Sequence, residues 1–253
     1  MKKDHYAPGE PCWIDCGTDI AKAATFYGGL FGWSFLDLGD EAGGYNMAQL
    51  DGSTVAGLGP QQNPGPPFWT VYFCTHDAEK TADKVRAGGG GVLVEPMDVM
   101  GEGRMAIFTD PAGAAFAVWQ PMNTPGLGEV DAPGTLCWSE LITSDLDAAK
   151  KFYGEVFGWG AKDGDDNSME YTEFQLGVTS VAGMMPRPDM MPAEMPNYWG
   201  LYFAVDDTDA TIARVAELGG STIAGPMDVP VGRFATCVDS AGAIFCVIDM
   251  AAG

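Results

Sequence analysis

The 253-residue chain holds two histidines, His5 and His76, and six cysteines, Cys12, Cys16, Cys74, Cys137, Cys237 and Cys246. No Cys-x-x-Cys occurs, and most of the cysteines sit in apolar, strand-like runs. They read as buried reduced thiols rather than disulfides, which points to a cytoplasmic setting. His5 lies in a polar arm and His76 at a predicted strand end, so both are expected to face solvent. With histidine so scarce, a Ser–His or Cys–His nucleophile pair cannot be assembled. Carboxylates are the remaining candidates for acid–base work.

The elements that must position such groups come from a repeat. Phe26-Tyr-Gly-Gly-Leu-Phe-Gly-Trp33 returns as Phe152-Tyr-Gly-Glu-Val-Phe-Gly-Trp159, matching at six of eight positions with an offset of 126. The register continues: Tyr45, Gln49, Leu50, Val55, Ala56 and Gly57 recur as Tyr171, Gln175, Leu176, Val181, Ala182 and Gly183. Gly103-Arg104, Asp110, Gly113 and Phe116 recur as Gly232-Arg233, Asp239, Gly242 and Phe245 at an offset of 129. The chain is therefore a duplicated domain. The expected division is a loose arm over 1–10, domains over 11–122 and 135–253, and a Pro/Gly/acidic linker over 123–134.

Within each domain a strand–helix–three-strand order appears twice. A strand is expected over 12–17, then a helix capped by Asp19 with Ile20, Ala23, Phe26, Tyr27, Leu30 and Phe31 on one stripe and Gly32 as its stop. Strands follow over 34–38, 44–50 and 53–59, with Asp51-Gly52 as a hairpin turn. The second unit has a strand over 69–75, a helix over 78–87 and strands over 92–95, 104–109 and 114–120. The third and fourth units repeat this from residue 135. The connector over 184–196, rich in Met and Pro, is a candidate lid over the second cavity, since Met suits closure over variable shapes.

Thirteen basic against 35 acidic residues give a net charge of −22. That field repels phosphate backbones and anionic lipid, and no basic cluster reverses it, so nucleic acid and membranes are poor partners. The N-terminus lacks the apolar core of a secretory signal, and no apolar run reaches the length of a spanning helix.

The tandem modules with Phe-Tyr-x-x-Leu-Phe-Gly-Trp on the first helix resemble the vicinal oxygen chelate superfamily of glyoxalases, bleomycin-resistance proteins and extradiol dioxygenases. Asp110-Pro-x-Gly113, Asp239-x-x-Gly242 and the strand end at Val205-Asp-Asp207 fit it, over about residues 11–250. The resemblance implies an α+β fold of four βαβββ modules. These would pair into two glyoxalase-like domains with curved, cup-shaped mixed sheets. In it the octapeptide helix covers the back of each sheet and does no chemistry. The metal-binding members hold their ion on three strand positions, which here are Trp13, Thr70 and Ala117, and Trp138, Gly200 and Cys246. Such a set holds no hard or borderline divalent ion, so neither metal nor cofactor is expected.

Strand alternation then turns Asp15 and Glu140 into the cups with Trp13 and Trp138, Tyr72 with Thr70, and Tyr202 with Gly200. Ala115 and Trp119 accompany Ala117, and Ile244 and Ile248 accompany Cys246. Large aromatics, small residues and one carboxylate per cup compose a pocket for an aromatic or polycyclic ligand. Arg104 and Arg233 are the alternative partners of the carboxylates. Two functions follow. One is a metal-free protein, monomer or homodimer, that sequesters a small molecule, as in the bleomycin-resistance branch. The other is a metal-independent isomerase, cyclase or hydroxylase with Asp15 or Glu140 as acid/base. The missing ligands oppose a metal-dependent lyase or dioxygenase.

Overall fold

A computed structural model describes residues 1–62, 64–164, 170–189, 191 and 195–250. The first module is β1 (Pro11–Thr18), α1 (Ile20–Phe31), β2 (Ser34–Asp37), β3 (Asn46–Leu50) and β4 (Ser53–Pro60). The second is β5 (Phe68–Cys74), α2 (Ala78–Ala87), β6 (Gly91–Val99), β7 (Gly103–Thr109) and β8 (Ala115–Pro121). The third comprises β9 (Leu136–Thr143), α3 (Leu146–Phe157), β10 (Gly160–Asp163), β11 (Thr172–Leu176) and β12 (Thr179–Pro186). The fourth comprises β13 (Tyr198–Ala204), α4 (Thr208–Glu217), β14 (Ser221–Val229), β15 (Gly232–Val238) and β16 (Ile244–Met250).

Each helix opens on an aspartate, at 19, 77, 145 and 207, whose carboxylate accepts a backbone N–H three residues on. Helices α1 and α3 stop on Gly32 and Gly158 in the left-handed conformation that glycine adopts without cost. Strand β6 runs past Pro96, where the sequence reading ended it. It is an edge strand, so the missing proline N–H costs no ladder bond.

The modules pair in sequence. One eight-stranded sheet has the order β2-β3-β4-β1-β5-β8-β7-β6, the other β10-β11-β12-β9-β13-β16-β15-β14. At the centre of each, the first strands of two modules run antiparallel, β1 with β5 and β9 with β13. Each is flanked by the parallel fourth strand of its own module. These are open mixed sheets, not closed barrels, and the α+β, two-domain expectation holds. On one face of the first sheet Ile14, Cys16, Val71 and Phe73 are buried in the main core. Trp13, Asp15, Thr70 and Tyr72 alternate onto the other face.

That main core spans both domains. The helix of the octapeptide does more than cover the back of its own sheet, because its aromatics reach the other domain. Tyr27 donates to Asp239 at 3.0 Å and packs edge-on to Phe245, while Tyr153 donates to Asp110 at 3.2 Å. The Trp33 indole donates to the Gly134 carbonyl at 2.8 Å, and Trp159 donates to Gly9 at 3.2 Å. Helix α1 lies against α4, and α3 against α2. The two halves interlock by matching contacts, in the manner of an isologous dimer drawn within one chain.

The arm is not loose. Tyr6 is buried and donates to the Leu127 carbonyl at 2.8 Å, and the Gly9 amide bonds to Cys74 at 2.8 Å. The polar run Lys2–His5 conceals this, since one aromatic supplies the anchor. His5 and His76 are exposed, and all six cysteines are free thiols. Of the connector proposed as a lid, Met190 and residues 192–194 lie outside the described residues, as do 251–253. Met184 is fully buried core and no part of a lid.

Candidate functional site

Strand β1 places Trp13 and Asp15 on the concave face, and its register with β5 sets Tyr72 beside Trp13 and Thr70 opposite Asp15. Ala117 follows as the partner of Tyr72 on β8. The Trp13 indole N–H donates to the Tyr45 hydroxyl at 3.0 Å, and Tyr45 donates onward to Asp15 Oδ2 at 3.1 Å. Tyr72 donates to the same oxygen at 2.8 Å. Both bonds fall on Oδ2, and neither reaches Asp15 Oδ1.

The second cup repeats the arrangement with a longer acid. Trp138 donates to the Tyr171 hydroxyl at 2.9 Å, and Tyr202 donates to Glu140 Oε1 at 2.8 Å. Gly200 lies opposite Glu140, and Cys246 is the partner of Tyr202.

In the sequence Tyr45 and Tyr171 stand out only as repeat positions, not as cup residues. Their signal was the glycine that recurs with each. A Cβ at Gly57 would lie 1.8 Å from the Tyr45 hydroxyl, and one at Gly183 would lie 1.9 Å from that of Tyr171. Tyrosine and glycine form one unit, in which the ring reaches over a bare backbone to the carboxylate.

Burial pushes the Asp15 carboxyl up to about 6, with the Tyr72 and Tyr45 hydroxyls pulling it back. Glu140 is raised by burial too, against the pull of Tyr202 and then Tyr171. Burial and the Asp15 charge keep Tyr45 and Tyr72 protonated, so they remain donors. The Cys246 thiol is pushed up to about 12, chiefly by burial, so it is no thiolate ligand at neutral pH.

Not every expected residue joins the site. The Trp119 indole donates to the Thr124 carbonyl at 2.8 Å, and its ring lies against Gly103 at one end of the cup, away from the carboxylate network. The arginines do not pair with the cup carboxylates. Arg104 bonds Glu79 at 2.7 Å, and Arg233 holds Asp209 and Asp228 at 3.0 and 2.9 Å. Both sit toward the outer strands β6 and β14, so their charge is spent on surface pairs.

The positions that the resemblance assigns to metal ligands, Trp13, Thr70, Ala117, Trp138, Gly200 and Cys246, offer indole, hydroxyl, methyl, hydrogen and a protonated thiol. Among the described residues no group of three or more His, Cys, Asp or Glu side chains is arranged to hold a metal ion. The donor chemistry does not fit a divalent ion.

The Asp15 shift has a consequence for stability. Its folded pKa lies above the unfolded one, so between about pH 4 and 6 the folded state binds more protons, and stability falls as pH rises through that window. The loss above it is up to roughly 3 kcal/mol. Asp15→Asn is expected to remove this part of the slope and to be the more stable protein at pH 8. Urea unfolding of both proteins at pH 4.5 and pH 8 checks this; equal pH dependence in the two would contradict it.

Sequence and structure comparisons agree with this architecture. The Glyoxalase/Bleomycin resistance protein/Dioxygenase superfamily description matches residues 16–118 and 135–247. The anthracycline biosynthesis protein DnrV of Streptomyces peucetius is 41% identical, covering 98% of this chain and 96% of its own. CFP32 of Mycobacterium tuberculosis, provisionally named a glyoxylase, is 42% identical over 99% of this chain and 98% of its own. Among solved structures, the Mn(II)-bound glyoxalase from Novosphingobium aromaticivorans shares the fold, with a TM-score of 0.66 at 18% identity over 96% of this chain and 82% of its own. With both repeats matched and relatives aligned end to end, this chain belongs to the glyoxalase/bleomycin-resistance/dioxygenase superfamily.

Proposed function

We propose that the protein binds a small planar aromatic molecule without a metal, gripping its polar edge between a buried carboxyl and tyrosine hydroxyls. The observation that carries this reading is the Trp–Tyr–carboxylate network at the base of an aromatic cup, where the fold family's metal would begin. A carboxyl near its midpoint accepts a phenolic hydrogen when ionised and donates to a carbonyl when protonated. The net charge of −22 favours neutral or cationic guests. The relationship to a protein named for anthracycline biosynthesis supports a polycyclic guest. Six free thiols suit a reducing, cytoplasmic setting.

A second reading is favoured by the Asp15 carboxyl itself. At about 6 it is poised to exchange protons near neutrality, which suits a metal-independent acid/base in an isomerase or cyclase. The test is calorimetric titration of chelator-treated protein with 2-hydroxyanthraquinone, for wild type and the Asp15→Asn, Glu140→Gln double variant. The double variant is expected to bind at least tenfold more weakly, about 1.4 kcal/mol. Unchanged affinity with lost turnover of a substrate would favour the enzyme.

A further inference from the structure

We infer that the two cups differ in selectivity, with Met47 on β3 and Glu173 on β11 setting the difference. The first cup is the tighter site for an uncharged planar polycycle. The inference rests on the binding function proposed above and deepens it by ranking the two halves.

Residues paired across neighbouring strands share a face of the sheet, so the row through each carboxyl can be followed to the sheet edge. In the first sheet it runs from Asp15 to Gly57 on β4, Met47 on β3 and Leu36 on β2. Tyr45 crosses the row at Gly57, with its hydroxyl bonded to Asp15. Outward from the carboxyl the row therefore presents a phenol ring, a thioether and an isobutyl group. Asp15 and Met47 are half-buried and Leu36 is 51% exposed, so contact with solvent increases toward the edge. On the other side of the carboxyl, Ile107 adds an apolar branch beside Ala117.

The second sheet keeps the carboxyl, the glycine and the tyrosine but changes the rest of the row. It runs from Glu140 to Gly183 on β12, Glu173 on β11 and Lys162 on β10. A carboxylate thus replaces the thioether, and an ammonium replaces the isobutyl group. Glu173 is half-buried and accepts from the Ser180 hydroxyl. Its charge reaches Tyr171, whose hydroxyl is kept protonated by burial first and then by Glu140, with Glu173 adding to both. Thr236, beside Cys246, stands where the first cup has Ile107.

A flat hydrocarbon body laid along the first row covers apolar side chains and brings its one polar edge to Asp15. Sulfur beside an aromatic face is a favourable contact in its own right, and a thioether adapts its shape to the ring it meets. Laid along the second row, the same body covers the Glu173 carboxylate and the Lys162 ammonium, which lose water and gain no partner from it. The tyrosine and the carboxyl are common to both cups, so the second still binds, but more weakly. The chemistry that separates the two sites lies one and two strands beyond the glycine, not at the carboxyl.

Calorimetric titration with 2-hydroxyanthraquinone should find two classes of site, one equivalent each, with affinities about tenfold apart. Asp15→Asn should weaken the tight class and Glu140→Gln the weak one. Met47→Glu, which copies the second cup, should weaken the tight class about tenfold, and Glu173→Met should strengthen the weak class by a similar factor. Leu36→Lys, at an exposed edge position, should weaken the tight class about threefold and decides the matter if Met47→Glu fails to fold. Two sites of equal affinity would overturn the ranking and leave the proposed function standing. So would a tight class weakened by Glu140→Gln, or one that keeps its affinity in the Met47 and Leu36 variants that fold. Absence of binding by the wild-type protein would remove both.

Discussion

Replacing Tyr27 with alanine is expected to cost about 4 kcal/mol and to loosen both domains, although the residue belongs to only one. The side chain is fully buried between the sheets, 5.3 Å from the Trp33 ring and 5.6 Å from Phe245 of the second domain. Truncation creates a cavity of ring size. It also strands two polar groups: the Trp69 indole, which donates to the Tyr27 hydroxyl at 3.0 Å, and Asp239 Oδ2, which accepts from it. Asp239 is itself buried and accepts three backbone amides on Oδ1, so its turn is exposed to the damage. Tyr27→Phe keeps the ring and loses only the hydroxyl, and should cost about 2 kcal/mol. Urea unfolding followed by far-ultraviolet dichroism and by tryptophan fluorescence checks both values. Coincident curves are expected in the wild type, because one core serves the two domains. A cost below 1 kcal/mol for Tyr27→Ala would contradict the interlocked arrangement.

Gly57→Ala is the second large effect, because a single methyl group meets the whole site. Its Cβ would lie 1.8 Å from the Tyr45 hydroxyl and 2.4 Å from the ring carbon that carries it. A rigid ring cannot yield that distance locally, so Tyr45 must leave. With it go the bonds from Trp13 and to Asp15. Overpacking of this kind costs about 1–3 kcal/mol, and the freed indole N–H adds a polar group without a partner. Gly183→Ala should do the same to Tyr171 and Trp138, 1.9 Å and 2.7 Å from the added carbon. The Gly183 variant is expected to lose guest binding at least tenfold, since it displaces the tyrosine that bonds the Glu140 carboxyl. Thermal unfolding together with the anthraquinone titration measures both effects. A Gly183→Ala protein with wild-type stability and affinity would show that the tyrosine–glycine unit is incidental.

The fold was legible because duplication prints the same pattern twice. Phe26–Trp33 located the first helix, its second copy located the third, and the glycine and aspartate stops bounded both. Helix α2 was read to the residue, since Asp77 and the glycines after Ala87 punctuate it. The stripe of Phe26, Tyr27 and Phe31 showed a buried face but not which layer it met. A helix squeezed between two sheets and one that covers a single sheet present the same periodicity. Within the site, alternation along β1 and β5 found Trp13, Asp15 and Tyr72, which the structure brings together. It gave Trp119 the correct face but could not say how far along the cup it stood. Tyr45 precedes β3 and acts by the length of its ring, which no strand period encodes.

The most direct test of the metal-free aromatic cup is the calorimetric titration of chelator-treated protein with 2-hydroxyanthraquinone, repeated with added Mn²⁺, Fe²⁺ or Zn²⁺. The account predicts saturable binding in the chelator, unchanged by any of the ions. Binding that appears only when one of those ions is restored would contradict it.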